Sequence, residues 1–462
     1  MKMGIPSIFC ATSRNRFKMK FLASHFASNK RSLLVFMMCL AFPVGLLIAY
    51  RPIVTITCLI LGSLGILLPP SFLTWLAISM APFQWTVIGL QNIPYKISWF
   101  DVIALLLVIN FIWNGTTKKL SMFEQRLAYL LALFCLAGLI SLIQAAYPLS
   151  GIYYLIRLGL VFVIFFSVSY FVREHSLEQS LSALFICFCL LSIVAVIDTL
   201  QTPERVQSTA NLLLEDPEAV ERLGSIYGQP NITGHTIGLF LPIFFGLALL
   251  PGQGWVIRLL LIISTIFLSF LLIFTCSRGG IITGVLGLVM LMLYVRRFSL
   301  LLIPLVLLGL SIFNWDFMKG FFFDVRPHSI ENRINLIYYG LKTAQEHPIV
   351  GIGVRQFKTY FHNIPFHLAG HSSHNAYLEV LVEMGILGFG VFIAFIVFIW
   401  KELINTPDQK KQSTRVLRGI ALSCFASLLC SKFFMGGLLL ATWWIALAFV
   451  IGVMQRFYRS SF

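Results

Sequence analysis

Charge is scarce in this chain. Of its 462 residues only 11% are charged and 58% are hydrophobic, whereas an ordinary soluble domain carries about 25% charge. That deficit, with a mean hydropathy of +0.88, excludes a soluble globular protein and points to a polytopic membrane protein. Apolar runs of about 17 residues or more recur from position 33 to position 455, and they leave no stretch for a sizeable independent soluble domain. The alternation of a transmembrane β-barrel is also missing, because the runs are apolar all round. Acids are the rarer sign, 18 against 34 basic residues, for a formal charge of +16. The basic residues sit mainly in short loops between the runs, where positive-inside topology accounts for most of them, so no nucleic-acid partner is expected.

Disulfide and metal frameworks are lacking as well. Of the 9 cysteines, Cys39, Cys58, Cys135, Cys187, Cys189, Cys276, Cys424 and Cys430 fall in or beside apolar runs, and Cys10 lies in the N-terminal tail. They read as small apolar packers. Neither HExxH nor CxxC occurs. His362, His367, His371 and His374 are spaced five, four and three apart, which suits a metal in principle, but no further ligands accompany them. The reading favoured is one functional histidine among loop residues, with no metal and no cofactor. No repeat of 20 to 50 residues and no match between the halves is visible, which weighs against a repeat-built transporter.

What is present is a helical bundle. The expected fold is all-α, a polytopic membrane bundle of 12 to 14 transmembrane helices with a large, partly helical extracytoplasmic loop. Fourteen apolar segments fit: 33-49, 53-69, 71-90, 100-114, 126-146, 151-171, 180-198, 233-250, 256-276, 280-295, 299-314, 375-400, 416-431 and 434-455. Residues 1-32 carry basic side chains and no acid. They read as a cytoplasmic tail rather than a transit or signal peptide, because many spans follow. With that tail inside, alternation puts most of the basic residues, and the C-terminus, on the inner side. The expected organisation is a tail (1-32), a first bundle (33-314), an extracytoplasmic loop (315-374) and C-terminal helices (375-462).

Two long connections then face outward, 199-232 and 315-374. Long loops are uncommon without a function, so chemistry is expected there. Within the second, Ile334, Ile337, Tyr338 and Leu341 recur at helical spacing. They predict an amphipathic helix lying on the membrane or over the bundle mouth, followed by a turn at Gly351-Ile352-Gly353.

Polar residues that are expensive in such a chain mark the candidate site. Arg278, in Cys276-Ser277-Arg278-Gly279-Gly280, lies where two spans meet on the outer face. It reads either as a guanidinium fork held out to phosphate or carboxylate, or as a snorkelling arginine at a helix end. His374, in His371-Ser372-Ser373-His374-Asn375, opens a long helix continuing to Gly385, Gly388 and Gly390. Eleven residues are about three turns, so His374 and Gly385 are expected to share one face of a helix whose glycines pack against a neighbour. An imidazole there suits a general base for a sugar hydroxyl; the alternative is an interfacial histidine capping a span. Arg157 sits about two turns inside its span, where an ionisable group marks a polar pocket. Arg222 and Arg333, in the two outer connections, add positive charge on the same side and complete a possible diphosphate cradle, unless they simply pair with neighbouring acids such as Glu218, Glu221 and Glu331.

These residues carry a resemblance. His374-Asn375, nine residues, then Gly385-Ile386-Leu387-Gly388 resembles the signature of the O-antigen ligase and Wzy-type polymerase superfamily. Gly228-Gln229-Pro230-Asn231, Ser277-Arg278-Gly279-Gly280 and His347-Pro348-Ile349-Val350-Gly351-Ile352-Gly353 look like further family elements in the right order. The likeness spans roughly residues 200 to 400. It implies an inverting, metal-independent glycosyltransferase of the bacterial plasma membrane, with its active site facing the periplasm or exterior and its termini cytoplasmic. The implied donor is a glycan on a polyprenyl diphosphate, such as undecaprenyl diphosphate, and the implied acceptor a lipid- or glycan-linked sugar, with membrane lipids around both. Carried over, His374 takes the catalytic position and Arg278 the diphosphate position. Arg222, Arg333, Arg157 and Asn375 are substrate-binding candidates. Ligase, polymerase and protein O-oligosaccharyltransferase all fit the resemblance. A small-anion transporter and a non-catalytic scaffold are the rival classes; transport predicts polar residues near the bilayer midplane rather than at one face.

Overall fold

In a computed structural model of the chain, residues 68-81, 86-89, 96-114, 120-175, 177-201, 229-296, 328-361, 373-405 and 412-459 are described. The expected tail, the segments 33-49 and 299-314, nearly all of 53-69, Arg222 with most of the first outer connection, and His362, His367 and His371 lie outside them. The described residues form one unit beginning at Leu68.

Among the described residues the fold is all-helical apart from one small ribbon. In chain order come α1 (Pro70–Ser79), β1 (Thr86–Gly89), β2 (Lys96–Ser98), α2 (Trp99–Asn114), α3 (Met122–Ser141), α4 (Pro148–Glu174) and α5 (Leu177–Gln201). After them follow α6 (Pro230–Ala248), α7 (Trp255–Phe274), α8 (Arg278–Val295), α9 (His328–Glu346), α10 (Phe357–Tyr360), α11 (Ala376–Asn405), α12 (Gln412–Phe434) and α13 (Ala441–Arg459). Among the described residues seven helices are long and apolar enough to cross a membrane: α3, α4, α6, α7, α8, α11 and α12. Apolar side chains such as Ile257, Ile263, Ile266 and Phe270 of α7 face outward, as suits a surface bathed in lipid tails.

Two expected spans need correction. Segment 71-90 is not one helix: α1 ends at Ser79, and Thr86–Gly89 pairs antiparallel with Lys96–Ser98. Pro82 has no amide hydrogen to continue a helix, and the β-branched run Thr86-Val87-Ile88 favours extended backbone. The last segment starts late, at Ala441, because residues 435-440 form a non-helical connection in which Gly437 has φ +76°.

The core is built on aromatic contacts between distant helices. Trp444 of α13 meets Phe162 and Phe165 of α4 and Phe395 of α11, with ring centroids 5.0 to 6.1 Å apart. Beyond it, the buried Arg173 at the C-terminal end of α4 bonds Glu124 Oε2 of α3 at 2.5 Å and Gln455 Oε1 of α13 at 2.8 Å. A buried charge is tolerated there because its partners satisfy it.

α6 and α8 touch through backbone. A side chain on Gly238 would overlap the Gly280 carbonyl, and one on Gly280 would lie 2.7 Å from the Gly234 carbonyl oxygen. Gly234 and Gly238, and Gly280 and Gly284, are each four apart, the small-residue spacing that lets apolar helices cross closely. This contact presses the start of α8 against α6.

α11 is broken at Gly385, whose φ of +61° and ψ of −164° lie outside the helix. The turn that follows α9 enters the break as a short strand would. Ile352 N donates to Val382 O (3.0 Å) and Gly353 N to Glu383 O (2.9 Å), while Ile386 N donates to Pro348 O (2.9 Å) and Leu387 N to Ile349 O (3.3 Å). The expected glycine face along one straight helix is therefore corrected. Gly385 serves a kink and a backbone crossing, Gly388 meets Met384 of its own helix, and Gly390 has nothing within 4 Å. Gly385→Ala is expected to destabilise the protein by about 1–3 kcal/mol from backbone strain alone, with overlap on the Ile349 backbone added. A thermal midpoint in detergent unchanged from wild type contradicts this account.

α9 is amphipathic as expected, but its packing face is not the expected stripe. Leu336, Gly340 and Thr343 are buried, with Leu336 and Gly340 against α11, whereas Ile334, Ile337, Tyr338 and Leu341 all face outward. Because Gly340 lies on the Leu378 side chain, the helix seats closely on α11 with little apolar surface. The more conspicuous apolar stripe is left over for another medium.

Candidate functional site

One end of the bundle gathers the start of α6, the start of α8, α9, the turn before α11 and the end of α12. α7 closes at Thr275 and Cys276, the latter with φ +45°. Ser277 Oγ then caps α8 by accepting from Gly280 N at 3.3 Å, so Arg278 is the first helical residue. Its guanidinium and the positive end of the α8 dipole favour an anion at the same place.

Arg333 approaches from α9, one turn before the residues that seat that helix. Burial, and then the positive charge of Arg278, push its pKa below the usual arginine value. Its guanidinium carbon lies 5.9 Å from the centroid of Phe434, the last residue of α12. Two guanidiniums acting on one another across distant segments repel, and an anion held between them would relieve that repulsion.

Phe434 also meets a residue the sequence reading missed. His235 of α6 is buried, lies near-parallel to Phe434 at 6.2 Å, and has Nδ1 3.3 Å from Thr283 Oγ1. It fills the space over Gly279, where a side chain would come within 2.8 Å of the imidazole and of Phe434. A histidine at the start of an apolar span was the available signal.

Phe434 also leads to the histidine turn. Two residues on, a side chain at Gly436 would overlap Glu379 Oε2 and lie 2.7 Å from Ser373 Oγ and 3.4 Å from the His374 amide nitrogen. The Arg278 and His374 segments thus meet the two ends of one short stretch, Phe434 to Gly436. His374 itself is half-buried and has φ +49°, a conformation uncommon outside glycine. It stands two residues before α11 rather than within it. Asn375 Oδ1 accepts from Leu378 N at 3.0 Å and so caps α11; only its amide group is left for a ligand.

Beneath the turn lies a network of charged groups that the sequence reading did not single out. Glu379 Oε2 accepts from Ser373 Oγ (2.7 Å) and from Gly437 N (3.1 Å). The buried Lys432 donates to Gly437 O at 2.8 Å, with its ammonium 4.9 Å from the Trp443 ring centroid. Tyr154 Oη accepts from Leu438 N at 3.2 Å, and Glu383 Oε1 from Phe357 N at 3.0 Å. Tyr154, Glu379, Glu383, Val354 and Met384 help to line a small cavity. Two carboxylates four residues apart and a lysine between two apolar runs were visible in the sequence and expensive enough to be noticed.

The remaining candidates separate from this group. Arg157 lies in the first half of α4, where Asp101 of α2 bonds it at 2.8 and 3.1 Å and Tyr153 lies under its guanidinium. Asp101 Oδ2 also accepts from Ser98 N and Ser98 Oγ, so the pair joins α4 to the ribbon. Among the described residues no three His, Cys, Asp or Glu side chains cluster as metal ligands.

Comparison with known proteins bears on this end of the bundle. No curated protein matches the chain. A family model described as O-antigen ligase, Wzy_C, matches residues 263–393; over that segment, which contains Arg278, Arg333, His374 and the Gly385 kink, the chain is similar to this family.

Proposed function

We propose that the protein transfers or polymerises a polyprenyl-diphosphate-linked glycan on the outer face of a bacterial plasma membrane. The family match supports a membrane glycosyltransferase in O-antigen or polysaccharide assembly. The observation that supports the finer reading is that Gly279, next to Arg278, and Arg333 both meet Phe434, with the His374 turn reached through Gly436.

In this reading the donor diphosphate lies between Arg278 and Arg333, with its polyprenol chain in lipid. An acceptor hydroxyl oxygen attacks the anomeric carbon from the face opposite the diphosphate. Its proton passes to the His374 imidazole, the bond from the anomeric carbon to the phosphate oxygen breaks, and the electron pair leaves with the diphosphate, inverting the centre. The charge that develops on the leaving group is met by guanidiniums already in place, which lowers the barrier without a cation. The Asn375 amide is offered to the acceptor. The outward stripe of α9 rests on membrane lipids, and both termini are cytoplasmic. Arg157, held by Asp101, stands apart from the Arg278 and Arg333 group, and Arg222 is a further candidate for binding the donor.

The test is transfer by purified protein, using a lipid-diphosphate-linked oligosaccharide and a lipid-linked acceptor in excess EDTA. Undiminished transfer with inverted stereochemistry is expected, and absence of transfer with any lipid-linked acceptor counts against the reading. The surface glycan of a deletion strain separates the subtypes: unligated lipid-linked polymer indicates a ligase, and single-repeat capping a polymerase. Normal glycan with altered anion uptake points to transport.

A further inference from the structure

The Ser373-His374 turn needs something to hold it. It precedes the helix, so helical hydrogen bonding does not fix it, and His374 has positive φ. Three contacts meet at the Ser373 hydroxyl. Ser373 Oγ is 2.7 Å from Glu379 Oε2 and 2.9 Å from Asn375 O. A hydroxyl has a single proton, and the charge-assisted bond to the carboxylate is the stronger. With its proton committed there, Ser373 Oγ accepts from Asn375 N at 3.2 Å. The same Glu379 Oε2 takes Gly437 N at 3.1 Å, and Lys432 holds the Gly437 carbonyl at 2.8 Å. The 435-440 connection is therefore gripped from both sides where it passes under the turn.

We infer that Glu379 is the positioning residue for His374: its Oε2 ties the histidine turn to the 435-440 connection and so fixes the imidazole relative to the segment that ends in Phe434. The inference rests on the reading of His374 as the base. Glu379 touches no reacting atom. Its effect is geometric, since a base displaced by a fraction of an ångström loses alignment with the acceptor hydroxyl. Because both bonds fall on a single oxygen, an amide oxygen can receive them equally, so the inference requires shape and acceptor capacity but not the negative charge.

The experiment compares wild type, Glu379→Ala, Glu379→Gln and Ser373→Ala as purified full-length proteins in the transfer assay, with kcat and KM determined separately. Glu379→Ala is expected to lower kcat by roughly ten- to thirtyfold with KM for donor and acceptor unchanged. Glu379→Gln is expected to restore kcat to near wild type, and Ser373→Ala to show a smaller loss of the same kind. Wild-type kcat in Glu379→Ala overturns the inference, as does a Gln variant as impaired as the Ala variant, which would assign the effect to charge. If Glu379→Ala does not yield folded protein, Ser373→Ala decides: lowered kcat at constant KM supports the inference and an unchanged kcat overturns it. An inactive wild type instead counts against the proposed transfer reaction itself.

Discussion

Replacing His374 by alanine is expected to lower kcat for glycan transfer by about 10²–10⁴-fold, the usual contribution of a positioned general base. The substitution deletes the imidazole and leaves the turn intact, because the contacts that define it come from Ser373 Oγ, the Asn375 cap and the approach of Gly436. The thermal midpoint in detergent is therefore expected to stay near wild type, and donor affinity to be retained. In a deletion strain, His374→Ala should accumulate lipid-linked donor while wild type restores the surface glycan. A variant within threefold of wild-type kcat removes His374 from the chemistry and returns it to the role of an interfacial residue before a span.

Arg278→Ala is expected to cost about 10²–10³-fold in kcat, as for loss of one preorganised group that stabilises a developing oxyanion. Its signature differs from that of His374. Without donor, removing one of two repelling guanidiniums relieves the repulsion felt by Arg333. With donor present, the stabilisation that binding gives wild type should shrink. Arg278→Lys keeps the charge but loses the planar fork and should fall between the two. Equal thermal stabilisation by the donor in wild type and Arg278→Ala, with equal kcat, counts against a diphosphate at this position.

Much of this arrangement is legible in the linear chain because apolar runs are long and interruptions in them are costly. Helix-rich segments at 100-114, 151-171, 233-250 and 280-295 correspond to α2, α4, α6 and α8. Arg278, Arg333 and His374 stand out as polar residues where a membrane protein can least conceal them. What the pattern does not convey is backbone conformation and pairing across the fold. The break at Gly385 looks like an ordinary helical glycine, since nothing local announces that Pro348 to Gly353 will bond into it. Asp101 as the partner of Arg157 is separated by 56 positions, a pairing that spacing rules for one helix cannot reach. The α9 stripe misleads for a related reason: periodicity reveals that a helix has an apolar side, but a glycine-lined side can be the one that packs.

The junction at Gly385 has a mechanical consequence. Its four backbone hydrogen bonds, each worth about 1 kcal/mol net, fasten two sequence-distant segments, and Glu383 adds a side-chain bond to Phe357. Ser141 Oγ accepting from Val354 N, and the reciprocal pairing of Gln356 with Tyr147, anchor the same piece to the α3–α4 corner. A doorway that hinged at residues 348 to 357 would have to tear all of these at once. This part behaves as a fixed plinth, so under the proposed reaction a glycan would enter and leave around its flanks while the plinth held the His374 turn in register.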